Sequence, residues 1–107
     1  MNYNVRIVED AEKDILDIFR YAKGKISNRK AIELFEAIEK KCFSLEQMPE
    51  RGHAPPELLR IGIGNFKEIH CKPYRIIYEI SGKNVDVLCV LDERRNIKGV
   101  LEERLFR

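Results

Sequence analysis

Residues 66–95 read FKEIHCKPYRIIYEISGKNVDVLCVLDERR, and the pattern of this stretch decides the fold. Tyr74, Ile76, Tyr78 and Ile80 alternate with Arg75, Ile77 and Glu79, the period of two expected of a strand that lays one face on a core. The run from Val85 to Leu91 is rich in valine and suits a strand with little polar surface on either face. Ser81, Gly82, Lys83 and Asn84 separate the two, a composition that predicts a short hairpin with a positive backbone angle. The two strands are therefore expected to be antiparallel neighbours. Upstream, Phe66–Cys71 reads as a shorter strand, and Pro73 marks the turn because its ring fixes φ and offers no ladder donor. The result is a meander that runs out into Asp92, Glu93, Arg94 and Arg95.

Working outward, Tyr3 to Val8 alternates and predicts a first strand. Ala11, Ile15, Ile18, Phe19 and Ala22 recur at helical spacing, predicting a helix over about Ala11–Lys23, with Asp10 as its cap and Gly24 as its stop. Ser27 or Asn28 caps a longer helix with an apolar seam of Ala31, Phe35, Ile38, Cys42 and Leu45. Leu34, Ala37 and Met48 form a second line that widens its apolar surface, and Pro49 ends it. The short link between the helices favours an antiparallel hairpin. Residues 49–64 carry two glycines and two prolines beyond Pro49 itself plus Gly64, and they predict a loop with one helical turn at Glu57, Leu58 and Leu59. Ile97, Val100, Leu101 and Leu105 fit a final short helix or an extension that docks on a partner.

With 107 residues the chain is expected to form a single domain over residues 1–107. A hydrophobic share of 44% with 36% charged residues excludes a disordered chain. The net charge of +2 excludes nucleic-acid binding by bulk charge, so any such contact needs a local cluster. Cys42, Cys71 and Cys89 lack paired metal-type spacing and are expected as reduced thiols, with no metal and no cofactor. Neither a signal peptide nor a membrane span is expected, which predicts a cytoplasmic protein.

The string KPYRIIYEI, then VLCVLDERRN and the closing VLEERLFR, preceded by LEQMPERG and PELL, resembles the RelE/ParE superfamily of toxins from type II toxin–antitoxin modules, which includes plasmid stabilisation proteins. The resemblance covers nearly the whole chain. It implies an α+β fold, with an N-terminal strand and a helical hairpin packed on one face of a mainly antiparallel sheet. It also implies a cognate antitoxin as partner, with operator DNA reached only through that antitoxin.

Alternation puts Arg75 on the face opposite Tyr74, Ile76 and Tyr78, expected to be the open side of the sheet. In ribosome-dependent nucleases of the superfamily, arginines and lysines on that side hold the scissile phosphate. Guanidinium suits the task because it is permanently charged and grips two oxygens at once. By resemblance Arg75 matches the arginine of their YR motif, and Arg94 and Arg95 match the basic pair after the last strand. His70, beside Lys67 and Lys72, is a candidate for proton transfer. The bland alternatives are that Arg75 pairs with Glu68 or Glu79, that Arg94 and Arg95 pair with acidic residues of the final segment, and that His70 is a partly exposed strand residue. His53 has no evident partner in the sequence.

The region where those nucleases place a tyrosine or histidine offers Val100, Leu101 and Phe106 here, and Phe66 and Glu68 stand where some carry lysines. The pattern therefore leans to the ParE-like branch, for which the resemblance implies inhibition of DNA gyrase. A ribosome-dependent mRNA endonuclease is the alternative, and an antitoxin-binding module without toxicity is a third.

Overall fold

The computed structural model describes residues 2–105, and of Leu105 only the backbone. Strand β1 (Asn4–Ile7) leads into α1 (Glu9–Lys25) and α2 (Asn28–Phe43). Two single 3₁₀ turns, Ser44–Glu46 and Pro49–Arg51, and the one-turn helix α3 (Pro56–Leu59) follow. Then come β2 (Phe66–Cys71), β3 (Tyr74–Ser81), β4 (Asn84–Asp92) and α4 (Ile97–Leu105). The sheet order is β1-β4-β3-β2, with β2–β3 and β3–β4 antiparallel and β1–β4 parallel. This is the expected α+β architecture.

The meander follows its sequence closely. Only Gly82 and Lys83 lie between β3 and β4, and Gly82 takes φ +60 while no described residue other than glycine has a positive φ, as a type II′ turn requires. Between Ile77 and Tyr78 the pairing slips, because Ile77 faces Cys89 whereas Tyr78 faces Val87. Leu88 is the extra residue of a bulge, which reverses the in–out parity of β4. Val85 and Val87 join one core before it, while Cys89 and Leu91 join the other after it.

One face carries the hairpin. Ala11 and Ile15 of α1 and Ile38 and Cys42 of α2 meet Ile69, Ile76, Tyr78, Val85, Val87 and Val90 from the sheet. Ile76 and Tyr78 are fully buried as expected, but Tyr74, the first residue of β3, is only half-buried. Helix α1 runs past its predicted limits, whereas α2 stops short of its own. Helix α1 begins at Glu9 behind Val8, so Asp10 lies inside its first turn, and Gly24 is helical rather than a stop. Ser27 does cap α2, its Oγ accepting from Lys30 N at 3.1 Å. That helix ends at Phe43, before Pro49, and Ala37 and Met48 are exposed rather than forming a second buried line.

The opposite face is covered, contrary to the expectation of an open side. Leu58 of α3 and Ile97, Val100 and Leu101 of α4 pack on Phe66, Ile77, Cys89 and Leu91. The physical reason is that Phe66, Ile77, Cys89 and Leu91 give this face an apolar centre too, and each large apolar side chain gains roughly 1.5–3 kcal/mol on burial.

Two polar devices fix the covering elements. Tyr78 donates its hydroxyl to Pro49 O at 2.6 Å and accepts from Gly52 N at 3.1 Å, pinning the loop under the hairpin. A side chain at position 52 would collide with that hydroxyl and with Glu68 O, which explains the glycine. Beyond Ile7 the edge of β4 has no strand partner, so its backbone groups are met otherwise. Val90 N donates to Asp14 Oδ2 at 3.0 Å, and Leu88 O accepts from Arg104 Nη1 at 3.1 Å. Arg104 and Asp14 also pair at 2.6 and 2.9 Å, latching α4 to α1.

Candidate functional site

Arg75 lies at the centre of the covered face, 5% exposed. Its Nε donates to Glu68 Oε1 at 2.7 Å and its Nη2 to Glu68 Oε2 at 3.2 Å. Nη1 and Nη2 donate to the two Glu57 oxygens at 2.7 and 2.8 Å, and Nη1 also donates to Arg95 O at 3.0 Å. A guanidinium has five N–H donors, so every one is engaged. The hub joins β3, β2, α3 and the turn into α4, and the guanidinium is held even more firmly protonated than usual, chiefly by the hydrogen bonds it donates to Glu57. Glu57 in turn is held down to about 2, chiefly by its hydrogen bonds with Arg75 and further by the Glu57 and Ile97 backbone N–H groups.

Arg75 thus meets the arginine pair only through the Arg95 carbonyl, not through a second guanidinium. Arg94 and Arg95 are exposed on the turn after β4. The Arg94 guanidinium folds back on Asp92 at 2.9 and 3.1 Å, and these hydrogen bonds hold the Asp92 carboxyl down to about 2. Both arginines border a cleft of about 310 Å³ with Tyr21, Tyr74 and Asp17. Arg75 lies apart from that cleft, buried beneath α3 and α4. Of the bland alternatives, Glu68 is confirmed as a partner of Arg75, whereas Glu79 instead accepts from Asn65 Nδ2 at 2.6 Å.

His70 shares its face of β2 with Glu68, and His53 reaches the same carboxylate from the loop. His70 Nε2 is 3.4 Å from Glu68 Oε1 and His53 Nε2 is 3.4 Å from Glu68 Oε2. The two imidazole rings are 5.7 Å apart. Reciprocal backbone hydrogen bonds set this meeting, His53 N to Glu68 O at 3.1 Å and Glu68 N to His53 O at 2.7 Å. The cleft in front of them, about 360 Å³, is bordered by Lys41 and Arg51. Lys67 points elsewhere, to Glu50 at 3.5 Å, and Lys72 is exposed.

Two residues of this constellation carry no sequence signal. Glu57 and His53 sit in the irregular connector, where no periodicity reports the direction of a side chain. Only the PELL segment hinted that Glu57 belongs to an ordered turn. The thiols stand apart from the site. Cys42 and Cys89 are buried, and burial pushes both up to about 12, which makes them inert.

Solved structures share this fold. The chromosomal ParDE toxin–antitoxin system from P. aeruginosa superposes with a TM-score of 0.71 at 16% identity, over 84% of this chain and 95% of that one. The RelBE2 toxin–antitoxin complex from Mycobacterium tuberculosis gives 0.60 at 21% identity, over 86% and 99%. The YoeB dimer from Staphylococcus aureus gives 0.52 at 13% identity, over 83% and 94%. Identities this low speak to the fold alone. No match is found among curated protein sequences. Membership comes from the sequence profile described as ParE toxin of type II toxin–antitoxin system, parDE, which matches residues 5–97. That span takes in all but the first residue of β1, the hairpin, the Glu57–Arg75–Glu68 hub and the whole meander, and the chain belongs to the ParE toxin family of type II toxin–antitoxin systems.

Proposed function

We propose that this protein arrests growth by binding and inhibiting DNA gyrase, and that a cognate antitoxin neutralises it in the cytoplasm. The observation that carries the reading is the state of Arg75, whose five donors are spent on Glu57, Glu68 and Arg95 O beneath α3 and α4. A guanidinium so committed has no donor left for a scissile phosphate, and exposing it would strand two carboxylates. Family membership agrees with it. Operator DNA is reached through the antitoxin in this reading.

A second reading, a ribosome-dependent mRNA endonuclease, is favoured by one observation. The His53 and His70 rings stand together beside Lys41 and Arg51, which supplies two proton-transfer groups and two cations in one cleft. The experiment sets the two targets side by side. Purified protein is added to gyrase supercoiling reactions and, separately, to programmed ribosomes. Inhibited supercoiling or trapped cleaved DNA, with intact messenger RNA, is expected. Ribosome-dependent cleavage with gyrase untouched overturns the proposal.

A further inference from the structure

We infer that His53, Glu68 and His70 form a binding site for one divalent transition-metal ion of the zinc type. The three side chains offer two imidazole nitrogens and a carboxylate oxygen, all within 4.8 Å of one another. Neither imidazole makes a hydrogen bond to the carboxylate, and each Nε2 stands 3.4 Å from a different oxygen of it. For metal–ligand bonds of about 2.0–2.2 Å in a tetrahedron, neighbouring donor atoms are separated by about 3.3–3.5 Å. Whichever Glu68 oxygen is the ligand, one histidine–carboxylate edge already has that length. The other two edges, within 4.8 Å, have to close, and both imidazoles are free to move because 63% and 39% of their side chains are exposed.

The carboxylate is built into place rather than free. Glu68 is 2% exposed and both of its oxygens accept from Arg75, which fixes their direction while leaving lone pairs toward the cleft. Such outer hydrogen bonding is how ligand carboxylates are oriented in metal sites. His53 is positioned with equal economy, since its backbone is bonded in both directions to that of Glu68. Charge favours a cation at this point, because Glu57 and Glu68 face a single guanidinium and keep one negative charge in excess. Lys41 and Arg51 on the cleft wall oppose it, so the affinity falls below that of closed structural zinc sites. They also suit an anion or water in the fourth position. Two imidazoles with one carboxylate select zinc, cobalt or nickel over magnesium or calcium, which prefer all-oxygen shells.

This inference does not depend on which cellular target the protein meets. The test uses untagged full-length protein at neutral pH, titrated with Co²⁺ by absorption spectroscopy and with Zn²⁺ by calorimetry. One ion per chain is expected, without a thiolate charge-transfer band. His53→Asn and His70→Asn should each weaken binding by about tenfold or more, the scale of losing one group of a metal site. Cys71→Ser should leave it unchanged. Both histidines are solvent-exposed, so their variants should fold, which circular dichroism verifies. The site is refuted by the absence of saturable binding, by binding that survives either histidine substitution, or by binding lost in Cys71→Ser.

Discussion

Arg75 shows how one residue can keep a family's motif position while its surroundings set its role. Alternation along β3 correctly sent it to the face away from the hairpin, and charge alone suggested a partner such as Glu68. What alternation could not report is that α3 brings Glu57 over the same spot, so the arginine is enclosed rather than presented. Removing it leaves two carboxylates facing each other in a nearly dry site, and Arg75→Ala should cost about 3–5 kcal/mol in urea unfolding. Arg75→Lys should recover little of this, because an ammonium cannot fork to two carboxylates and a carbonyl. The pH dependence follows from Glu57. Its carboxyl is lowered from 4.5 to about 2 in the folded protein, so its contribution is fully present above about 4.5 and is lost as pH falls toward 2. The unfolding midpoint should drop through that interval, and Glu57→Gln should flatten the drop. An unchanged slope in that variant contradicts the assignment.

Elements with a strong period were legible, and those whose place depends on long-range contact were not. The meander, its two-residue turn and the capped start of α2 all follow from local chemistry in Tyr74–Asp92 and at Ser27. Helix α1 overran Gly24 because packing of Ala22 outweighs the roughly 1 kcal/mol propensity cost of one glycine. The apolar spacing of α4 was visible, yet nothing local told where it docks. Its seat is set by the Leu88 bulge, which turns Cys89 and Leu91 toward it, and by the Arg104–Asp14 latch spanning 90 residues of sequence. His53 escaped for the same reason, because its meeting with Glu68 is made by backbone pairing across a loop. Asp14→Ala should leave the Val90 amide without its acceptor and Arg104 without its carboxylate partner, costing about 1–3 kcal/mol. Hydrogen exchange at the Val90 amide should accelerate in that variant. Exchange as slow as in the unaltered protein would mean that the latch does not hold the β4 edge.

On the scale of the whole molecule, a four-stranded sheet is enclosed by the hairpin on one side and by α3 and α4 on the other. No described helix is long and apolar enough to cross a membrane. Large apolar side chains remain exposed on the hairpin, among them Tyr21, Ile26, Ile32 and Phe43. We propose this surface as the seat of an antitoxin segment with apolar anchors, by the groove-docking mode that amphipathic helices use. Enclosure of Arg75, exposure of this apolar surface and membership of the ParE toxin family fit a protein that acts by binding other proteins. The most direct measurement of that account is bacterial growth on induction of this chain, alone and together with its antitoxin. The account predicts arrest with the chain alone, accompanied by loss of plasmid supercoiling, and full recovery when the antitoxin is co-expressed. Normal growth in cells that accumulate the soluble, folded protein would contradict it.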